Sequence, residues 1–236
     1  MCPAGGPIQG NYFQGWNYFD YETQALGDAL FISQWIRDWT APCKILEIGC
    51  GSGLALKRLE EMGFESYGVD IADWAVHEAK KKMGSERIHL CDIEKEPLPF
   101  QAPFDAIFLS AVFEHFHKPY EVIKKLLPLT RKGTLIFIRT ANPKSLTRQL
   151  FKQNWEGYFD YSHYGIEQVF PSELRKQFSD LGWKIMSLDT DSIWTCNGDE
   201  VAAAFRDFYS GDARFRLFIK EFELGDFISL VARRTV

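Results

Sequence analysis

No stretch of the 236-residue chain approaches eighteen uninterrupted apolar residues, so no membrane-spanning helix is expected. The opening MCPAGGPIQGNYFQG lacks the positive charge and apolar run of a secretory signal, which makes the cytoplasm the expected compartment. Cysteine is scarce and scattered. Cys2, Cys43, Cys50, Cys91 and Cys196 are odd in number and have no CxxC or CxH spacing, which argues for reduced thiols and against a disulfide framework or a zinc cluster. Positive charge is short as well: 27 Lys and Arg against 32 Asp and Glu leave a net −5, without the positive field that binding a phosphate backbone requires. No nucleic-acid partner is expected. Internal repeats and low-complexity tracts are also missing. What remains is the composition of a folded globular chain, 46% hydrophobic and 25% charged. Its one excess is aromatic: 20 Phe, 9 Tyr and 7 Trp make up 15% of the residues, and part of that surplus is expected to line a pocket.

From Lys44 onward short apolar runs alternate with amphipathic stretches, and the runs lack the period-two alternation of half-exposed strands. That pattern predicts an α/β fold with a parallel sheet covered on both faces. Strands are expected at Lys44–Ile48, Ser66–Val69, Arg87–Leu90, Phe104–Leu109 and Thr134–Arg139. Ala55, Leu59 and Met62 form one helical face ending at Gly63; Val76, Ala79 and Met83 form a second ending at Gly84; Val122, Ile123, Leu126 and Leu127 form a third. Leu26, Leu30, Ile32 and Ile36 predict an additional N-terminal helix packed on the sheet. An aromatic-rich connection, Thr140 to Phe170, is too long and polar for an ordinary loop and is expected to carry function. Beyond it the sequence predicts a helix at Ser172–Leu181, strands at Lys184–Leu188 and Phe227–Arg233 paired as an antiparallel hairpin, and between them helices near Glu200–Tyr209 and Ala213–Phe222. The chain thus reads as one domain, 1–236: an N-terminal helical and lid segment 1–40, a core 41–139, a substrate-side lid 140–170 and a C-terminal helix and hairpin region 171–236.

The chemistry is concentrated after the first strand, in Glu47-Ile48-Gly49-Cys50-Gly51-Ser52-Gly53. Three glycines at alternate positions let the backbone turn tightly and approach a ligand, and the N–H groups opening the next helix face whatever is bound. Asp70 closes the second strand twenty-one positions after Gly49, where a doubly wound sheet places a carboxylate beside a ribose. A nucleotide-like ligand is implied. The dinucleotide pattern GxGxxG would require glycine where Leu54 stands; here the loop reads GxGxG behind an acidic residue.

This stretch resembles the first motif of class I S-adenosylmethionine-dependent methyltransferases. Leu90-Cys91-Asp92-Ile93 is similar to that family's adenine-binding motif, and Phe104–Ser110 followed by Val112–Pro119 is similar to the fourth strand and Glu-His loop of its ubiquinone-biosynthesis-like (type 11/23) branch. Weaker likeness continues through His163–Leu174, Gly182, Leu224-Gly225-Asp226 and Leu230–Arg234. The resemblance implies a Rossmann-like seven-stranded sheet, mostly parallel with an antiparallel last strand, in an α/β/α sandwich. It implies S-adenosyl-L-methionine as cofactor, S-adenosyl-L-homocysteine as product and a small molecule as methyl acceptor. The cofactor-binding set it implies is Glu47, Gly49, Cys50, Gly51, Gly53, Asp70, Ile71, Asp92, Ile93, Ser110 and Tyr18. Within that set Asp70 is assigned to the ribose hydroxyls, Asp92 to the adenine amine and Ile93 to the ring. Metal-assisted members of the branch carry a further glutamate three positions before the Glu-His pair; Ala111 stands there, so no metal is expected.

Each assignment has a plainer competitor. Glu47 either holds the loop N–H groups or reaches the cofactor ammonium through water, and Asp92 either binds adenine or caps a turn. His115, at the carboxyl end of the fourth strand, and His163, in the long connection, are the candidate catalytic bases; in the plainer reading Glu114 and His115 brace the loop, while His163 and Tyr164 either contact the substrate or pack the connection. Trp16, Tyr18, Phe19, Tyr21, Trp155, Tyr158, Phe159, Tyr161 and Tyr164 form two aromatic clusters that either pack or cover a sulfonium. Two other functions stay open at this point, a non-catalytic cofactor-binding protein and an NAD(P)-dependent oxidoreductase. The assembly is expected to be a monomer or homodimer.

Overall fold

In the computed structural model, which describes residues 21–101, 103–158, 160, 162–193 and 200–236, seven strands form one sheet. They are β1 (Lys44–Ile48), β2 (Glu65–Asp70), β3 (Ile88–Leu90), β4 (Ala106–Ser110), β5 (Leu135–Ala141), β6 (Trp183–Asp191) and β7 (Phe227–Arg234). Their spatial order is β3-β2-β1-β4-β5-β7-β6. The first five run parallel, while β7 is antiparallel to both β5 and β6. The expected hairpin forms with its second strand inserted beside β5, which leaves β6 at the edge.

Burial on both faces explains the unbroken apolar runs. Along β1, Leu46 and Ile48 join one core and Ile45 the other; along β5, Ile136 and Ile138 face one way and Leu135 and Phe137 the opposite way. The first core lies under α4 (Pro119–Leu126) and α6 (Pro171–Asp180), and the second lies under α1 (Tyr21–Trp39), α2 (Leu54–Glu61) and α3 (Asp73–Met83). Among the described residues the remaining α-helices are α5 (Leu146–Phe151), α7 (Glu200–Gly211) and α8 (Ala213–Glu221).

Two expectations are corrected. Leu26 and Leu30 are about half exposed, because the buried stripe of α1 is Ala29, Ile32, Ser33 and Ile36, an i, i+3, i+4, i+7 set that the i, i+4 leucine pair does not share. The connection expected to begin at Thr140 begins later, since Thr140 and Ala141 complete β5. That connection is also anchored more firmly than its polarity suggested. Trp155 is fully buried and donates through Nε1 to Asp226 Oδ1 at 3.0 Å, while Ile166 and Val169 join the first core.

Candidate functional site

Strand order reverses between β1 and β4, with β2 on one side and β5 on the other, so the crevice at the carboxyl ends of β1 and β4 is the topological switch point where open α/β sheets bind ligands. The glycine loop forms one wall. Gly49, Gly51 and Gly53 all have positive φ (75°, 50° and 78°). At Gly49 the requirement is also steric: a Cβ there would lie 2.6 Å from Val112 Cγ2, so only glycine lets the loop after β1 close on the loop after β4. Gly49 and Cys50 N–H both donate to Val69 O, at 2.8 and 3.0 Å, and Gly53 N–H donates to Cys50 O at 2.9 Å.

Asp70 is buried and does local work. Its Oδ2 accepts from Gly51 N–H and its Oδ1 from Ala72 N–H, each at 2.8 Å, which pins the loop to the end of β2. Burial pushes its carboxyl upward, opposed by these backbone donors. Glu47 is 5% exposed, and its Oε2 has no hydrogen-bond partner among the described residues, as is also true of the buried Ser52 Oγ. Burial, then the neighbouring Asp70 charge, raises the Glu47 carboxyl well above the usual carboxylate range. Between the two readings of Glu47, the loop-holding one has no bond to support it; Asp70 fills that role. Cys50 is buried, and its thiol is driven well upward by burial and the Asp70 charge, which suits a small filler and not a nucleophile.

Along the rest of the crevice, Ile71 is 38% exposed beyond the end of β2, whereas Ile93 is buried in the first core and presents little surface to a ring. Asp92 does cap a turn, with Oδ1 accepting from Glu94 N–H at 3.1 Å, and Oδ2 pairs with Lys95 Nζ at 2.8 Å. Ser110 ends β4, paired in register with Arg139 of β5. Tyr18 lies outside the described residues, as do Trp16, Phe19, Phe159 and Tyr161.

The structure brings the two candidate bases together from segments forty-eight positions apart. The His115 and His163 rings meet edge to face with centroids 4.7 Å apart. His115 Nδ1 lies 2.8 Å from Ser162 Oγ, and Ser162 Oγ in turn bonds Asp160 Oδ1, while His163 Nδ1 lies 2.7 Å from Gly157 O. Asp160 accepts the Ser162 proton, so Ser162 Oγ accepts from His115 Nδ1–H. Burial, reinforced by His163, lowers the His115 pKa and keeps the ring neutral. Glu114 is buried below, its oxygens accepting from Thr140 Oγ1 (2.7 Å) and Ala141 N–H (3.3 Å). Ala111, the first residue after β4, has φ 50°, a strained conformation at the rim of the crevice.

Residues that the sequence reading did not single out hold this pair in place. Asp160 and Ser162 orient His115, a relation carried by no local pattern. Gly165 donates its N–H to Glu114 O at 2.8 Å and lies so close to Phe116 O that no side chain fits between them, so the connection docks backbone to backbone on the loop after β4.

Glu114, His115 and His163 each place one ligand atom within 4.8 Å of the others, a donor set able to hold a metal ion. Glu114 Oε2 and Oε1 also accept from Thr140 Oγ1 and Ala141 N–H, His163 Nδ1 is bonded to Gly157 O and His115 Nδ1 to Ser162, and Ala111 stands three positions before the Glu-His pair.

A family model described as a methyltransferase domain matches residues 25–188. Among curated proteins, the ubiquinone biosynthesis O-methyltransferase of Leptothrix cholodnii is 25% identical over 152 residues, covering 59% of this chain and 63% of that protein. The chain therefore spans somewhat under two thirds of that relative's length. Among solved structures, a SAM-dependent methyltransferase from Archaeoglobus fulgidus superposes with TM-score 0.63 at 20% identity, covering 95% of this chain and 97% of that one. Magnesium protoporphyrin IX methyltransferase from Synechocystis, solved with bound SAH, superposes with TM-score 0.61 at 18% identity, covering 98% and 90%. At such identities these superpositions establish the fold. Among the described residues no helix is long and apolar enough to cross a membrane.

Proposed function

The chain belongs to the family defined by this methyltransferase domain, and from that premise we propose that it transfers a methyl group from S-adenosylmethionine to a small-molecule acceptor, releasing S-adenosylhomocysteine. The observation that carries the proposal is the cradle at the switch point. A glycine loop closed against Val112 is flanked by two buried polar atoms without partners, Glu47 Oε2 and Ser52 Oγ. The donor set fits the cofactor: a buried carboxylate oxygen suits its ammonium, Asp70 retains lone pairs for ribose hydroxyls, and Ile71 offers an apolar face.

When bound, the cofactor supplies an electrophilic methyl group on a sulfonium. The protein's part is alignment of acceptor, methyl carbon and leaving sulfur in a water-poor crevice, for which no covalent catalyst is needed. A hydroxyl or amine acceptor must lose a proton, and His115 is the residue suited to take it. Its Nδ1–H is held by Ser162 and Asp160, so Nε2 is the basic nitrogen, and its lowered pKa keeps that nitrogen unprotonated at neutral pH. His163, its Nδ1–H donated to Gly157 O and its Nε2 3.8 Å from Asp160 Oδ2, packs beside the base. We read Glu114, His115 and His163 as a proton-handling cluster, with Ala111 standing three positions before the Glu-His pair. We place the reaction in the cytoplasm, with no nucleic-acid partner and the chain acting as a monomer or homodimer.

Calorimetry with S-adenosylhomocysteine, NAD and NADP, followed by mass spectrometry of candidate metabolites incubated with methyl-labelled cofactor, tests the reading. Micromolar binding of S-adenosylhomocysteine with a labelled product is expected. Binding of a dinucleotide alone would overturn the proposal, and cofactor binding without product across a broad metabolite set would leave a binding protein on this scaffold.

A further inference from the structure

Arg139 has no part in the chemistry described so far. It lies third from the end of β5, after Leu135–Ile138, in a strand buried throughout, and is itself only 9% exposed. Strand alternation turns it, with Phe137, toward the face that carries α1, and gives Phe227 and Ser229 of β7 the same face. There its guanidinium packs on two rings, 4.6 Å from the centroid of Phe31 and 4.0 Å from that of Phe227. Its Nη1 donates to Asp191 Oδ1 and Ser229 Oγ, each at 3.1 Å. Its Nε and Nη2 have no hydrogen-bond partner among the described residues.

A guanidinium packed on two rings and tied through one nitrogen is restricted in orientation, and its remaining edge is the planar two-donor fork that matches a carboxylate. The position fits a ligand. Arg139 is opposite Ser110 in register, its carbonyl accepts from the strained Ala111 N–H at 2.8 Å, and it sits at the carboxyl edge two strands from the glycine loop, across β4. Asp191 and Asp28 are the acids that face it: Asp191 occupies Nη1, and Asp28 feels the Arg139 charge. Selection therefore rests on the free fork more than on net charge.

Resting on the methyltransferase reading above, we propose that Arg139 is a specificity-determining residue that receives the carboxylate of the methyl acceptor. The flanking Phe31 and Phe227 rings favour an aromatic or similarly planar acid. The one other carboxylate at hand is that of the cofactor's amino-acid moiety, and the experiment separates the two.

Wild type, Arg139→Gln and Arg139→Lys are titrated with S-adenosylhomocysteine by calorimetry. Benzoate, and its neutral isostere benzamide, are then titrated into the S-adenosylhomocysteine complexes and followed by thermal shift. Benzoate is expected to raise the melting temperature of the wild-type complex and benzamide not to. Both variants should lose at least about tenfold in apparent benzoate affinity while keeping S-adenosylhomocysteine affinity, lysine included, because a point charge does not replace the fork. No benzoate response in the wild-type complex, an equal response to benzamide, or an undiminished response in both variants would overturn the proposal. A tenfold loss of S-adenosylhomocysteine affinity in the variants would hand the fork to the cofactor and overturn the acceptor assignment. If wild type binds no S-adenosylhomocysteine, the methyltransferase reading itself fails, a result distinct from the others. Circular dichroism reports whether the variants fold, and if neither does, Phe31→Ala, which removes the exposed ring beside the fork, takes their place, an undiminished benzoate response in it overturning the proposal.

Discussion

Replacing Glu47 with Gln should change how stability depends on pH, in a direction that identifies the ligand. The folded protein holds the Glu47 carboxyl well above its ordinary 4.5 through burial and the Asp70 charge, with Oε2 unpartnered. The unfolded chain releases that proton near the ordinary value while the folded chain keeps it. The stabilisation is therefore fully present below about pH 4.5 and is lost as pH rises toward the folded-state pKa. Over that window one proton held only by the folded state costs about 1.4 kcal/mol per pH unit. For a chain of this size a kcal/mol moves the melting temperature by about 2–4 °C, so the slope is about 3–6 °C per pH unit. Asp70, also raised by burial, contributes its own slope to both proteins, and the wild-type minus variant difference isolates Glu47. Differential scanning fluorimetry of both proteins in steps from pH 5 to 8 measures it. Saturating S-adenosylhomocysteine should abolish the difference, because an ammonium beside Glu47 favours the ionised form and lowers its folded-state pKa. A wild-type minus variant difference constant with pH would refute the buried-carboxyl argument. A pH-dependent difference that S-adenosylhomocysteine leaves untouched would remove Glu47 from the ammonium.

Asp70→Ala strips acceptors from Gly51 and Ala72 N–H, so it should destabilise the protein by about 1–3 kcal/mol as well as weaken S-adenosylhomocysteine binding by about 10-fold to 100-fold; melting and calorimetry on one sample check both effects. His115→Ala should lower kcat by about 10²–10⁴ with S-adenosylhomocysteine affinity unchanged, as measured with an acceptor found in the product screen. In the wild type the lowered His115 pKa keeps the base ready at neutral pH, so kcat/KM should be flat through pH 7–8 and fall only below the ordinary histidine value of 6.5; an acid limb centred above that value would count against His115. Gly165→Ala drives a methyl group into Phe116 O and should undock the connection from the loop after β4, costing about 1–3 kcal/mol, with faster proteolysis between Trp155 and Gly165 than in wild type; equal cleavage rates would show that the docking is dispensable.

The sequence by itself determined the sheet and the cradle, because both follow from local rules. A parallel strand covered on two faces has to be apolar at every position, so β1, β4 and β5 are visible as runs and their partner helices as 3.6-residue stripes. The glycine loop is legible because each glycine answers to a backbone angle that its own chain imposes. Local rules ran out where a side chain is committed by something distant. Asp70 has the position of a ribose ligand, and the fold adds a second task, each oxygen also accepting from a backbone N–H group, one of them in the loop after β1. Ile93 was assigned to the adenine ring by a motif, whereas the packing of α4 against the sheet draws it into the core. Tertiary structure alone joined His115 to Ser162 and Asp160 across a gap that no periodicity spans. It also turned a lone arginine in an apolar strand into an oriented fork, because Phe31, Phe227, Asp191 and Ser229 come from three separate elements. Spacing along a chain fixes which face a residue takes, but only packing fixes what stands opposite it, and the chemistry of this crevice depends on those opposing partners.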